Sequence, residues 1–114
     1  MTSQSKPKVY LVGTGGSISF VGRTRTDYTN YSYDGKHLTI AELLARVPEV
    51  LEFADVRTEQ FLNLGSTDVT PEHWLGLANR INQIFRDDPD AAGVAVTHGT
   101  ATLEETAYFL NLTI

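Results

Sequence analysis

Three times along this chain a short apolar run stops at glycine and hydroxyl residues, and an amphipathic segment with a capping signal follows. This alternation constrains the fold more than any other feature. Short continuous runs rich in β-branched and aromatic residues read as strands buried on both faces. The first is Val9-Tyr10-Leu11-Val12, closed by Gly13-Thr14-Gly15-Gly16-Ser17. The second runs from Val56 to Leu64 and ends at Gly65-Ser66. The third, Gly93-Val94-Ala95-Val96-Thr97, leads into His98-Gly99-Thr100-Ala101.

Helices fill the intervals. Thr39-Ile40-Ala41-Glu42 fits a capping box, in which the threonine hydroxyl and the glutamate carboxylate satisfy free backbone N–H groups. Ile40, Leu43, Leu44 and Val47 then share one face, and Pro48 stops the helix. Thr70-Pro71 opens a second helix, with Trp74, Leu77, Ala78, Ile81 and Phe85 facing the core. Asp87-Asp88-Pro89-Asp90 reads as a solvated turn. A second capping box, Thr102-Leu103-Glu104-Glu105, opens a third helix, with Leu103, Ala107 and Leu110 inward. Strand–helix order repeated in this way predicts an α/β fold, a parallel sheet built from βα repeats. Three strands are few for such a sheet, and the last helix ends where a fourth strand is due. Residues 1–114 are therefore expected to be the N-terminal portion of a larger domain.

Charge and composition narrow the function. Nine basic against 14 acidic side chains leave a net charge of −5. A general nucleic-acid binder needs clustered Lys and Arg to neutralise phosphates, and none is present. With no cysteine, disulfides, thiolate metal sites and a Cys nucleophile are excluded. No apolar run approaches a membrane span, and Val9 to Val12 is too short for a signal peptide. The expectation is a cytoplasmic protein with no membrane or nucleic-acid partner. Residues 20–38 are polar, rich in Tyr and Thr, and aperiodic. Long irregular loops in compact domains are uncommon and often serve as functional lids.

Ligands of parallel α/β sheets collect at the carboxyl ends of the strands. There this chain places Thr14, Gly15, Gly16 and Ser17, then Gly65, Ser66, Thr67 and Asp68, then Thr97, His98, Gly99 and Thr100. Small residues and hydroxyls recur at all three. A dinucleotide fingerprint fails, because Ile18 stands at its third glycine. A phosphate loop fails for want of a lysine, and a nucleophile elbow fails at Ser19. A Ser17–His98–Asp68 triad is conceivable on residue types alone, though His98 reads better as a structural histidine. Hydroxyl-rich ends suit attack on a carbonyl, with glycine-turn N–H groups stabilising the oxyanion and a second hydroxyl relaying the proton. Ser17 or Thr14 would be the nucleophile and Thr100 the relay.

Thr14-Gly15-Gly16-Ser17-Ile18 and the run from Thr97-His98-Gly99-Thr100 through Glu104-Glu105-Thr106-Ala107-Tyr108-Phe109 resemble the two signature motifs of the bacterial-type L-asparaginase and glutaminase-asparaginase family. Asn63-Leu64-Gly65-Ser66-Thr67-Asp68 resembles that family's substrate loop. The resemblance implies an amidohydrolase that needs no metal and no cofactor, cleaves a side-chain amide of a small molecule through an acyl-enzyme and releases ammonia. It assigns the nucleophile to Ser17, an assisting lid tyrosine to Tyr31, and a second catalytic hydroxyl to Thr100. Gly16, Ser66, Thr67 and the position of Ala101 fall on substrate-binding ground, with Ser66 holding the substrate carboxylate. It also implies a catalytic lysine after Ile114, and a homo-oligomer (dimer or tetramer) or association with a C-terminal remainder.

Three departures from the family pattern matter. Ser17 stands for threonine, which keeps the hydroxyl and loses the methyl that fixes its rotamer. Ala101 replaces the aspartate that grips the substrate's α-ammonium. In a well-buried site an unpaired ammonium costs on the order of 3–5 kcal/mol, roughly 10²–10³-fold or more in rate. Thr67, where glutamine is common, shortens the same wall. The chain is also about a third of the family's usual length. These features point to an amide lacking the α-amine, or alternatively to a catalytically weak or inactive module that binds a small carboxylate or amide.

Overall fold

The computed structural model describes residues 5–30 and 36–114. Strands β1 (Lys8–Gly15), β2 (Asp55–Leu64) and β3 (Ala91–Thr97) form one parallel sheet in the order β2-β1-β3. Helices α1 (Ile40–Leu44), α2 (Pro71–Asp87) and α3 (Leu103–Thr113) follow the strands in turn. The α/β class and the βα order are those expected from the apolar runs.

β1 is central because its residues can be buried on both sides. Its Val12 is fully buried against Leu77, Ile81 and Ile84 of α2, with Tyr10, Phe61, Val94, Val96 and Leu110 packed around them. Each such aliphatic side chain contributes roughly 1.5–3 kcal/mol when fully buried. On the other face Leu38 and Ile40 are buried. Ile40 comes so near β1 that a Cβ on Gly13 would lie 2.8 Å from the Ile40 Cβ.

Local signals set the helix starts. Thr39 Oγ1 accepts from the Glu42 N–H at 3.2 Å, and Glu42 accepts from the Thr39 N–H at 2.8 Å. At Thr70 the reciprocal partner is His73, whose Nδ1 accepts from the Thr70 N–H at 3.1 Å.

Four expectations about the helices need correction. α1 stops at Leu44, and Val47 is 49% exposed. Pro48 disfavours helical angles at Val47, which sits at φ −132°, ψ 59°, and the chain continues as a 3-10 turn over Pro48–Glu52. In α2 the buried residue of the last turns is Ile84, while Phe85 is 39% exposed. In α3 Leu103 and Ala107 are exposed and Thr106 is the buried position. The Thr106 hydroxyl has buried partners, so a polar residue takes the inward place. Thr102 forms no capping box, because its hydroxyl donates instead to the Ser66 carbonyl at 2.7 Å.

Two long-range ties complete the frame. Lys8 Nζ donates to both oxygens of Asp88 at 2.8 Å, and the Tyr10 hydroxyl donates to the same carboxylate at 2.9 Å. Asp88 is thus an anchor between β1 and the end of α2, not a solvated turn residue. Arg80 of α2 makes a bidentate pair with Glu59 of β2 at 2.7 and 2.8 Å.

Candidate active site

The carboxyl ends of the strands lie side by side, with Gly13 opposite Thr97 and Gly15 opposite Leu64. Each strand end passes into one short 3-10 turn: Ser17–Ser19, Ser66–Asp68 and Thr100–Thr102. The first residue of every turn bears a hydroxyl. Three parallel strands therefore deliver Ser17, Ser66 and Thr100 at equivalent places on one end of the sheet.

Glycines make this convergence possible. Gly15 (φ 93°) and Gly16 (φ 86°) occupy left-handed backbone, which side chains other than glycine's rarely adopt. A Cβ on Gly15 would lie 2.5 Å from the Leu64 nitrogen, and one on Gly16 would lie 2.3 Å from the Gly99 Cα. Gly99 in turn abuts Ser66, whose Oγ would be 2.7 Å from a Cβ on Gly99. Gly16, Gly99 and Ser66 thus form a contiguous floor, all three buried. Ser17, Thr67, Thr100 and Ala101 are exposed above it.

Hydrogen bonds between uncharged groups hold the turns. The Gly16 N–H donates to the Leu64 carbonyl at 2.7 Å, so that N–H is not open to an oxyanion. Ser19, 1% exposed, donates its hydroxyl to the Gly16 carbonyl at 2.7 Å. The Thr102 hydroxyl bonded to the Ser66 carbonyl ties the second turn to the third.

Two alternatives open in the sequence are closed by this geometry. Thr14 is 3% exposed and donates its hydroxyl to the Thr97 carbonyl at 2.7 Å, a stitch between β1 and β3 that leaves no free nucleophile. His98 cannot join Ser17 and Asp68 in a triad. Its Nδ1 lies 2.7 Å from the Gly99 carbonyl and its Nε2 2.9 Å from the Thr106 hydroxyl. It is a satisfied structural histidine.

Tyr31 lies outside the described residues. The base of its loop is defined. Phe20 and His37 form an antiparallel bridge, with the Leu38 N–H donating to Ser19 at 2.7 Å and the Val21 N–H to Lys36 at 3.2 Å. Asp27 organises the near side by accepting from the Asn30 N–H at 2.8 Å and the Arg23 N–H at 3.3 Å. Those bonds hold its carboxyl below the usual carboxylate value, the Asn30 bond most of all. The long polar stretch therefore leaves and re-enters the fold at one place, beside the turn that carries Ser17.

A sequence model of the family described as "Asparaginase, N-terminal" matches residues 8–114. This chain belongs to the asparaginase family. It is 43% identical over 108 residues to L-asparaginase 2 of Bacillus subtilis, covering 95% of this chain and 28% of that protein. It is 40% identical over 107 residues to a glutamyl-tRNA(Gln) amidotransferase subunit of Thermofilum pendens, covering 91% and 22%. The crystal structure of a probable cytoplasmic L-asparaginase from Campylobacter jejuni superposes with a TM-score of 0.83 at 39% identity, covering 96% of this chain and 32% of that one. The chain therefore spans less than a third of the length of each of these relatives.

Ser19 and Thr102 are not read as site residues in the sequence, and Gly99 is read there only as one of the small residues at a strand end, yet each fixes a turn of this asparaginase-family sheet end. Ser19 and Thr102 carry a signal of a kind, a hydroxyl two residues after Ser17 and after Thr100. Among the described residues no group of three or more His, Asp or Glu side chains could hold a metal ion. Nor is any described helix long and apolar enough to cross a membrane.

Proposed function

We propose that this chain carries the nucleophile and substrate floor of an asparaginase-type amidohydrolase. In this reading the Ser17 hydroxyl oxygen bonds to the carbonyl carbon of a side-chain amide. The C–N bond breaks, and the Ser17 proton reaches the departing nitrogen by way of Thr100, so that ammonia leaves. Water then adds to the acyl ester, one of its protons returning to Ser17 and the other passing to solvent as the carboxylate departs. Tyr31 assists the nucleophile from the lid. Ser66 holds the substrate carboxylate over the floor that includes Gly16, and Thr67 and Ala101 line the wall that an α-amine would face.

The observation that carries this reading is the convergence of three hydroxyl-headed turns, at Ser17, Ser66 and Thr100, over the floor made by Gly16, Gly99 and Ser66. Family membership supports the reaction class. Ala101 and Thr67 favour an amide without an α-amine over asparagine or glutamine, because no carboxylate stands at the position of Ala101. The fuller reading makes residues 1–114 the N-terminal part of a larger α/β domain, in a homo-oligomer or joined to its C-terminal remainder. The relative named as an amidotransferase subunit gives a precedent for a partner chain. A cytoplasmic location belongs to the same reading, supported by the likeness to the Campylobacter protein, a probable cytoplasmic L-asparaginase.

A second reading rests on Ala101: the same floor grips a small carboxylate or amide without turning it over. Ammonia release from asparagine, glutamine and succinamate separates the two. The enzymatic reading expects turnover, highest with succinamate, that Ser17→Ala abolishes. Binding without ammonia, unchanged by Ser17→Ala, would leave the binding module.

A further inference from the structure

Beneath the floor runs a buried chain of hydrogen bonds that the proposed chemistry does not use. Trp74 Nε1 of α2 donates to Thr106 Oγ1 of α3 at 2.8 Å. Thr106 Oγ1 lies 2.9 Å from His98 Nε2, and His98 Nδ1 lies 2.7 Å from the Gly99 carbonyl oxygen. Thr106 is 3% exposed and His98 8%. Trp74 also stacks on Phe109, which lies on the same helix as Thr106, with ring centres 5.7 Å apart.

Donor chemistry sets the direction. A carbonyl only accepts, so Nδ1 of His98 carries a proton. An indole N–H only donates, so the Thr106 oxygen accepts it and turns its own proton toward Nε2, which presents a lone pair. Every bond then runs one way, from Trp74 through Thr106 and His98 to Gly99. In this arrangement Nδ1 is the ring nitrogen that carries the proton.

The end of the chain is the peptide between Gly99 and Thr100. That peptide is planar and trans, so holding its carbonyl toward His98 turns the Thr100 N–H the opposite way. It also sets the start of the Thr100–Thr102 turn against Gly16 and Ser66. We propose that Trp74, Thr106 and His98 are positioning residues. They fix the Gly99–Thr100 peptide, and through it the place of the Thr100 hydroxyl relative to Ser17, without touching substrate. The catalytic half of this inference rests on the reading of Ser17 and Thr100 given above. Misplacement of a reacting group by about 1 Å costs on the order of 10²-fold in rate, so small rotations of this peptide matter.

Thr106→Val removes the hydroxyl at nearly constant shape, and Thr106→Ser restores it. Nitrogen-15 NMR of the unaltered protein should find His98 protonated on Nδ1. The Thr100 amide resonance should move in Thr106→Val and stay in Thr106→Ser. In ammonia-release kinetics, Thr106→Val should lower kcat about tenfold to a hundredfold, leave KM within about twofold, and be rescued by Thr106→Ser. Should Thr106→Val fail to fold, His98→Asn and His98→Ala decide. Asparagine keeps a donor near the Nδ1 position and should keep the Thr100 resonance, whereas alanine should lose it. A proton on Nε2, or a Thr100 amide that ignores both the valine and the alanine variants, overturns the proposal. A moved resonance with a rate that follows stability alone overturns its catalytic half. If the unaltered protein releases no ammonia from any amide while the NMR results hold, the amidohydrolase reading fails and the peptide-setting role stands.

Discussion

Gly16 and Gly99 meet backbone to backbone, so that a Cβ on Gly16 would fall 2.3 Å from the Gly99 Cα and 2.4 Å from its nitrogen. Two of the three converging turns are joined at this contact, and neither side can yield without moving a strand end. Gly16→Ala combines that clash with a left-handed φ of 86°. The expected cost is about 1–3 kcal/mol for overpacking and about 1–3 kcal/mol for the backbone conformation, since ψ at Gly16 is 177°. Denaturant unfolding should show a fall in stability of that order. Any ammonia release should disappear in the folded fraction, because the Ser17 turn must rotate away from Thr100. Wild-type stability and turnover in Gly16→Ala would mean that the two turns are not in contact.

Acid and alkali should both loosen the anchor at Asp88. Its hydrogen bond from Lys8, then that from Tyr10, holds its carboxyl below the usual 3.8. The Arg80 guanidinium likewise holds the Glu59 carboxyl below 4.5. A carboxyl depressed by folding adds stability that is present above its ordinary value and is lost as the pH falls through the folded one. Protonation at low pH therefore releases β1 from the end of α2 and β2 from Arg80. On the alkaline side the bond to Asp88 raises both Lys8 and Tyr10 above their usual 10.5 and 10.0. Their contribution is complete below those values and is lost as the pH rises through the folded ones. Asp88→Asn should lower stability at neutral pH and flatten the loss at both extremes, as seen in thermal unfolding across the pH range. An unchanged profile would show that the Asp88 cluster is not formed.

β3 forms one edge of the three-stranded sheet. Edge strands present unpaired N–H and C=O groups to other chains. Residues 1–114 prepared alone should therefore show a native mass above 12.6 kDa, or aggregate as the concentration rises. A stable 12.6 kDa species in sedimentation would remove the support that this edge lends to an oligomer.

What the residues disclose in advance, and what they hide, follows from range. The cap at Thr39 is legible because its partner, Glu42, is three residues away. The ends of β1, β2 and β3 are legible because glycine and hydroxyl residues punctuate apolar runs. Asp88 looks like a solvated turn because Lys8 and Tyr10 lie 80 and 78 residues distant. Glu59 and Arg80 are silent for the same reason. Thr106 escapes notice because a buried threonine has no hydrophobic signature, and its partners Trp74 and His98 meet it only in the folded chain. The site splits in the same way. The three hydroxyl-headed turns can be read from the strand ends. That Thr14 is occupied with Thr97, and that Gly99 rather than a second residue of the first turn completes the floor, needs the sheet register.

Ala101 gives the sharpest test of substrate choice. It stands on the exposed Thr100–Thr102 turn, next to the proposed relay hydroxyl and beyond the floor that Ser66 shares with Gly99. An α-ammonium there meets no carboxylate from this turn. A carboxylate restored on an exposed turn is screened by water, so it should return less than a buried pair would. A single charge-assisted hydrogen bond is worth about 1.5–3 kcal/mol, roughly a tenfold to hundredfold effect on rate. Ala101→Asp should therefore raise kcat/KM for asparagine by about that factor and leave succinamate unchanged or weakened. The ratio of the two rates is the measurement, since it cancels any general loss of fold. A rise for both amides would move the effect from the substrate's amine to the relay itself. No change in the ratio would show that the amine does not lie against this turn, and the preference for amides without one would fall with it.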